Sequence, residues 1–317
     1  MSTTPKVEHK MSDEKPNNSE NLFELYRDII PDFDAFMDRI RKPLGNFIRV
    51  NTLRTSPQKL QNMLGSRGIK SRITRLGGYF LEIPGDIQPG ILLEYHLGLF
   101  HPQTLTSGIP VLALDPKPDD LVLDLCAAPG GKTSHLAEVM KNTGLIVAND
   151  KNVSRLVSLR ANLKRLGIVN TVVTMVRGEQ FPLETVFPKI LLDVPCSSEG
   201  RYLIGENGKV MYRTRIGKSL PQVQKQLMHR AMKLLAPGGI LVYSTCTYNP
   251  DENESVIQYA LDKFDVDVCK IDLDFPHENG LKEWKGIKYD RSIEKCWRIY
   301  PHRTDSVGFF VAKMVKR

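Results

Sequence analysis

Residues 123–140, LDLCAAPGGKTSHLAEVM, run from an apolar segment through a glycine turn into a helical pattern. Such a turn leaves free backbone N–H groups at the positive end of a helix, so the question is which ligand it is shaped for. Three readings compete. A P-loop requires G-x-x-x-x-G-K-[ST]. Gly131, Lys132 and Thr133 supply its second half, and ILLD at 190–193 resembles the acidic strand of such an ATPase. However, Cys126 stands where the first glycine belongs, and Pro129 lacks an N–H that phosphate would use. A dinucleotide fold requires G-x-G-x-x-G, and here only the adjacent pair Gly130 and Gly131 is present.

The third reading is an S-adenosylmethionine site. There the loop wraps the amino-acid part of the cofactor, and an acidic residue ending the next strand holds the ribose hydroxyls. Asp150 closes LIVAND nineteen residues after Gly131, near the spacing of a ribose-binding carboxylate in a related nucleotide fold. Asp150 alone also reads as a helix N-cap; loop and carboxylate together favour the cofactor.

Outward from this loop, short apolar runs alternate with helical stretches. LVLDL, LIVAND, NTVVTMV, KILLDVP and GILVYSTC read as strands; NVSRLVSLRANLKRLG and VQKQLMHRAMKLLAPGG read as helices. Strands apolar on both faces and separated by helices imply an α/β class with a mostly parallel sheet covered on both sides. In such sheets ligands bind beyond the carboxyl ends of the strands, which is where Cys196 and Cys246 fall.

Residues 1–20 are polar and are expected to form a disordered tail, and residues 21–115 a small α+β N-terminal region ahead of the sheet domain at 116–317. Within the N-terminal region, helical spacing from Asn21 is interrupted at Pro31. FIRVNTLR reads as a strand and SPQKLQNMLGSRG as a helix capped by Ser56 and ended at Gly68. No apolar run approaches the ~20 residues of a spanning helix, and the N-terminus carries no apolar leader, so a cytoplasmic protein is expected.

The five cysteines form no C-x-x-C pair and sit at no zinc-finger spacing, so no metal is expected, and reduced thiols are. A net charge of +8 points to a polyanionic partner such as nucleic acid. Two basic stretches read either as solvated surface or as phosphate contacts. The first holds Arg39, Arg41, Lys42, Arg49 and Arg54; the second holds Arg201, Lys209, Arg213, Arg215 and Lys218 with Tyr202 and Tyr212 interleaved.

RVNTLR (49–54), LDLCAAPGGKT (123–133), LLDVPCSSEG (191–200), LAPGGILVYSTCTYNPDENE (235–254) and GFFVAKM (308–314) resemble, in order, the motifs of the Nop/Sun family of RNA:cytosine-5 methyltransferases. The resemblance covers most of residues 47–316. Residues 140–171 are especially similar to the branch that modifies large-subunit ribosomal RNA. It implies a Rossmann-like class I methyltransferase sheet with helices on both faces, S-adenosylmethionine as methyl donor, and ribosomal or transfer RNA as partner. It implies that residues Cys126, Ala127, Ala128, Pro129, Gly130, Gly131 and Lys132 form the cofactor loop, that Asp150 binds the ribose, and that Arg155 adjoins the cofactor. Asp193 would lie between cofactor and target base, Cys246 would be the nucleophile and Cys196 the second catalytic thiol, with Lys132 nearby. The family's adenine-contacting aspartate is replaced by Arg177 in RGEQFP. Arginine cannot accept a hydrogen bond from the adenine amino group, so either Glu179 substitutes for the aspartate from two residues away, or Arg177 stands in its place and cofactor affinity is weaker.

Carbon 5 of cytosine is too weak a nucleophile to take a methyl group unaided, so a nucleophile must first add to carbon 6. A cysteine thiolate suits that step because it attacks near neutral pH and can leave again. Two thiols at a ligand edge then have distinct uses, one to form the bond and one to help break it. NPDENE reads as the start of a helix with its carboxylates in the first turn.

Overall fold

The computed structural model describes residues 20–74, 76–205 and 219–317. Helices α1 (Glu20–Glu24) and α2 (Phe33–Ile40) flank Pro31. An antiparallel sheet follows, built from β1 (Asn46–Val50), β2 (Arg72–Ile73), β3 (Phe80–Ile83) and β4 (Phe100–Pro102) in the order β2-β3-β1-β4. Helix α3 (Pro57–Ser66) starts where Ser56 Oγ accepts the Lys59 N–H at 3.3 Å; beyond its end Gly68 adopts φ +78°. Helix α4 (Leu93–His96) leads into β4.

The larger sheet contains β5 (Leu121–Asp124), β6 (Leu145–Asn149), β7 (Thr171–Thr174), β8 (Phe187–Asp193), β9 (Leu235–Thr245), β10 (Val266–Cys269) and β11 (Glu278–Asn279). A separate hairpin joins β12 (Glu283–Trp284) to β13 (Ile287–Lys288), and the large sheet is completed by β14 (Trp297–Ile299) and β15 (Phe309–Lys316). Its order is β11-β14-β15-β9-β8-β5-β6-β7, with β10 also paired to β15. Strands β5 to β9 are parallel and β15 is antiparallel to β9. The winding reverses between β5 and β8, which opens a crevice at their carboxyl ends.

Helices α5 (Leu105–Leu114) and α6 (Gly131–Val139) cover one face, burying Ile109, Val111 and Leu136. Helix α7 (Val153–Leu166) packs beside α6 through Leu156, Leu159 and Leu163 against Ala127 and Ala148. Helices α8 (Leu220–Leu234) and α9 (Glu254–Lys263) cover the opposite face with Leu227, Met228, Val256 and Ile257. This is the α/β architecture expected from the alternation of runs, in the Rossmann-like form that the resemblance implies.

Several local expectations are corrected. The LAPGG segment read as the end of a helix belongs to β9, because Pro237 cannot continue a helix and Gly238 adopts φ +72°. NPDENE is a turn, and α9 begins only at Glu254. Arg49 belongs to neither a solvated face nor a phosphate surface. It is fully buried and grips Glu138 on α6 bidentately, Nε and Nη2 each 2.8 Å from a carboxylate oxygen, tying the small sheet to the large one. Helix α5, which precedes residue 116 yet packs on the large sheet, is a second tie, and Arg165 on α7 adds a third by donating to the Tyr95 and Phe100 carbonyls. Phe23, Tyr26 and Phe36 pack against Tyr248, Trp284 and Tyr300. Of the tail expected at 1–20, only Glu20 lies among the described residues, and of the second basic stretch Lys209, Tyr212, Arg213, Arg215 and Lys218 lie outside them.

Candidate active site

The carboxyl ends of β5, β6, β8 and β9 open into a cavity of about 790 Å³. Residues from the small sheet, Phe47 and His101 to Gln103, close one side of it. The loop after β5 is shaped by contacts rather than by glycine alone. Ala127 N–H donates to Asn149 O at 2.8 Å, Thr133 Oγ1 donates to Asp124 at 2.7 Å, and Arg155 donates to the Ala128 carbonyl. Gly130, at φ +99°, lies so close to α7 that a Cβ would come within 2.7 Å of Leu159. Cys126, Ala127, Ala128, Pro129, Gly131 and Lys132 all line the cavity; Gly130 does not.

Asp150 also lines it, 3.1 Å from Arg155 Nη1, and accepts the Ala128 N–H at 3.3 Å. Arg177 points away from the cavity with its side chain 63% exposed, whereas Glu179 lines the cavity with its side chain 13% exposed, the two held together at 2.7 Å. Arg177 precedes a tight turn at Gly178–Gln180, and the next carboxylate after it, Glu179, is the one that lines the cavity. Burial opposes ionisation of Glu179, but a backbone hydrogen bond and Arg177 hold its carboxyl below the ordinary range.

At the other end, strands β8 and β9 pair in parallel with Asp193 opposite Ser244. Three residues past the first and two past the second, Cys196 and Cys246 therefore meet, with Sγ atoms 3.2 Å apart. The Cys246 N–H lies 3.3 Å from Cys196 Sγ, and the Ser198 hydroxyl lies 3.5 Å from Cys246 Sγ. Hydrogen bonding to Cys196 lowers the Cys246 pKa from 9.0 against the opposing effect of burial, while the same contact, reinforced by burial, raises that of Cys196. Of the two thiols, Cys246 is therefore the one that gives up its proton first.

Between the thiols and the cofactor loop, Lys132 Nζ donates to Asp193 Oδ2 at 2.7 Å and to Ser107 Oγ at 3.2 Å. Ser244 Oγ donates to Asp193 Oδ1 at 2.7 Å, so both carboxylate oxygens are held.

One carboxylate of this cavity went unread in the sequence. Asp124 is buried, burial being the first cause that lifts its pKa to about 7, and its Oδ1 has no hydrogen-bond partner. The signal was available, since Asp124 closes β5 just as Asp193 closes β8. An unpartnered buried carboxylate oxygen fits the cationic end of S-adenosylmethionine, and Asp150 and Glu179 add acceptors for hydroxyl and amino groups, so the donor set fits the group. No group of three or more His, Cys, Asp or Glu residues able to hold a metal occurs among the described residues. None of the described helices is long and apolar enough to cross a membrane.

Comparison with known proteins is consistent with this chemistry. A family model described as 16S rRNA methyltransferase RsmB/F matches residues 111–315. The chain is 39% identical over 303 residues to the tRNA (cytosine(49)-C(5))-methyltransferase of Pyrococcus abyssi, covering 94% of this chain and 96% of that protein. It is 36% identical over 309 residues to the 25S rRNA (cytosine-C(5))-methyltransferase nop2 of Schizosaccharomyces pombe, covering 94% of this chain but only 50% of that protein. It therefore spans nearly all of the first relative and half of the second. Among solved structures, NSun6 from Pyrococcus horikoshii with SFG superposes with a TM-score of 0.78 at 25% identity, covering 95% of this chain and 98% of that one.

Proposed function

The chain belongs to the RsmB/F family of RNA methyltransferases and is an S-adenosylmethionine-dependent RNA cytosine-C5 methyltransferase, and we propose that it acts on ribosomal or transfer RNA through a covalent bond from Cys246 to carbon 6 of the target cytosine. The observation that carries this reading is the 3.2 Å contact between the two thiols beside the Asp193–Lys132 pair. When bound, S-adenosylmethionine supplies the methyl group. Asp150, Glu179, Asp124 and the loop from Cys126 to Lys132 hold it.

In this mechanism the Cys246 thiolate adds to carbon 6, and the Lys132–Asp193 pair delivers the proton that ring nitrogen 3 takes up, leaving carbon 5 as the nucleophile of an enamine. Ser244 and Lys132 fix the carboxylate so that this proton transfer needs no reorganisation. Once carbon 5 carries the methyl group, its proton passes to solvent water and the C5–H electron pair restores the C5–C6 double bond as the C6–S bond breaks. Ring nitrogen 3 returns its proton to the Lys132–Asp193 pair, and Cys246 departs as a thiolate. The S–H of Cys196 is the hydrogen-bond donor to that departing charge. Residues 21–115 act as an RNA-binding region, a role that the small sheet at the cavity rim supports. A base within a helix must be extruded to reach the thiols.

Purified protein would be incubated with ribosomal and transfer RNA transcripts and S-adenosylmethionine, then assayed by bisulfite sequencing and denaturing gels. Wild type should create 5-methylcytosine at a defined position, and Cys246→Ala should create none and trap no RNA. Cys196→Ala should accumulate a protein–RNA adduct. The reverse pattern would move the nucleophile to Cys196.

A further inference from the structure

The turn that follows Cys246 carries a carboxylate that does not reach the cavity. Glu252 is 1% exposed, and its Oε2 accepts two hydrogen bonds, from the Ser197 N–H at 2.9 Å and from Gln224 Nε2 at 2.8 Å. The same Gln224 amide donates to the Pro195 carbonyl at 2.9 Å. The peptide units on both sides of Cys196 are therefore gripped by one side-chain pair, one member on the Cys246 turn and the other on α8. The turn itself is anchored, since Tyr243 OH donates to the Glu252 carbonyl at 2.6 Å. Thr247, next to Cys246, is hydrogen-bonded to Ser197 Oγ at 2.7 Å.

We propose that Glu252 is a positioning residue of the two-thiol centre, clamping the backbone around Cys196 to the turn that follows Cys246 and so setting the contact between the two sulfurs. The thiols are fifty positions apart along the chain, and the β8–β9 register brings only their strand ends together. A buried acceptor shared by Ser197 and Gln224 removes the remaining freedom, because releasing it would strand two buried donors. Its negative charge also adds to the influences that keep the proton on Cys196. The cost of losing such a clamp falls on the release step, where the Cys196 S–H must meet the departing thiolate.

The inference rests on the roles given above to Cys246 and Cys196, so the test includes both. Full-length wild type, E252A, E252Q, Q224L, C196A and C246A would be compared for kcat, KM for S-adenosylmethionine, fraction of RNA-linked protein on denaturing gels, and Tm. Expected for E252A is a kcat lower by about 10- to 100-fold with KM within about twofold, and an RNA adduct above wild type but below C196A. E252Q keeps one oxygen for both Ser197 and Gln224 and should recover most of the rate that E252A loses, with little adduct. Should E252A fail to fold, Q224L, which severs the Pro195 and Glu252 contacts from the α8 side, is expected to show the same adduct and kcat pattern more weakly.

A folded E252A with wild-type kcat and no excess adduct would overturn the proposal, as would E252Q impaired as fully as E252A. If E252A does not fold, a wild-type Q224L does the same. Failure of the thiol assignment looks different: C246A would keep turnover or C196A would trap nothing, whatever the Glu252 variants do.

Discussion

The Sγ atoms of Cys196 and Cys246 stand 3.2 Å apart at the ends of adjacent parallel strands, and their contact shifts the acidities of the two thiols in opposite directions. The Cys246 thiol ionises below its ordinary value of 9.0 because Cys196 hydrogen-bonds to it.

From those opposite shifts follows a pH dependence. A lowered pKa populates the thiolate at lower pH, so alkylation of Cys246 by iodoacetamide, read by mass spectrometry without RNA, should rise through a midpoint below pH 9. In Cys196→Ala the donor is gone while burial remains, so the midpoint should move up by about one unit or more. An unchanged midpoint would mean that Cys196 is not what lowers the Cys246 pKa.

Glu179 lines the cavity and Arg177 does not. Glu179→Ala should weaken S-adenosylmethionine binding by about 10-fold or more, the loss of a hydrogen bond to a charged acceptor. Arg177→Ala should change it by less than about threefold. Calorimetric titration of both variants checks the order.

Arg49 and Glu138 form a bidentate pair with side chains 0% and 1% exposed. Arg49→Met should destabilise the fold by about 3–5 kcal/mol, because it leaves a carboxylate buried without its partner. The double variant Arg49→Met/Glu138→Leu should recover most of this. Urea unfolding of the three proteins gives both values.

Asp124 carries a pKa lifted from 3.8 to about 7, chiefly by burial. Between those values the folded state binds more protons than the unfolded chain, so this group makes stability fall as pH rises from about 4 to 7. In Asp124→Asn that contribution to the slope should vanish, leaving the variant more stable than wild type at pH 8 relative to pH 4 by on the order of 1–4 kcal/mol. Urea midpoints at pH 4.5, 6 and 8 test it; parallel curves for the two proteins would refute the burial argument.

Much of the fold is written in short-range pattern. Apolar runs of four to seven residues such as LVLD and FPKILLD, separated by amphipathic helices, suffice for an α/β sheet, because burial on both faces leaves a local trace in every strand. The cofactor loop and both cysteines were likewise legible, since each is a contiguous motif at a strand end.

What the chain alone determined is therefore the glycine loop, the two thiols and their edge of the sheet; the tertiary structure decided their relations. Residues 89 apart pair as Arg49 and Glu138, which turned a residue read as solvated surface or phosphate contact into a buried tie between the two sheets. NPDENE reads as a helix start by composition, yet Glu252 leaves the helix to hold Ser197 and Glu254 pairs with Arg298 at 2.5 Å. The physical reason is common to these cases. A charged side chain responds to whichever partner the packing presents, and in the interior the cost of leaving it unpaired outweighs the small local preference that sequence pattern records.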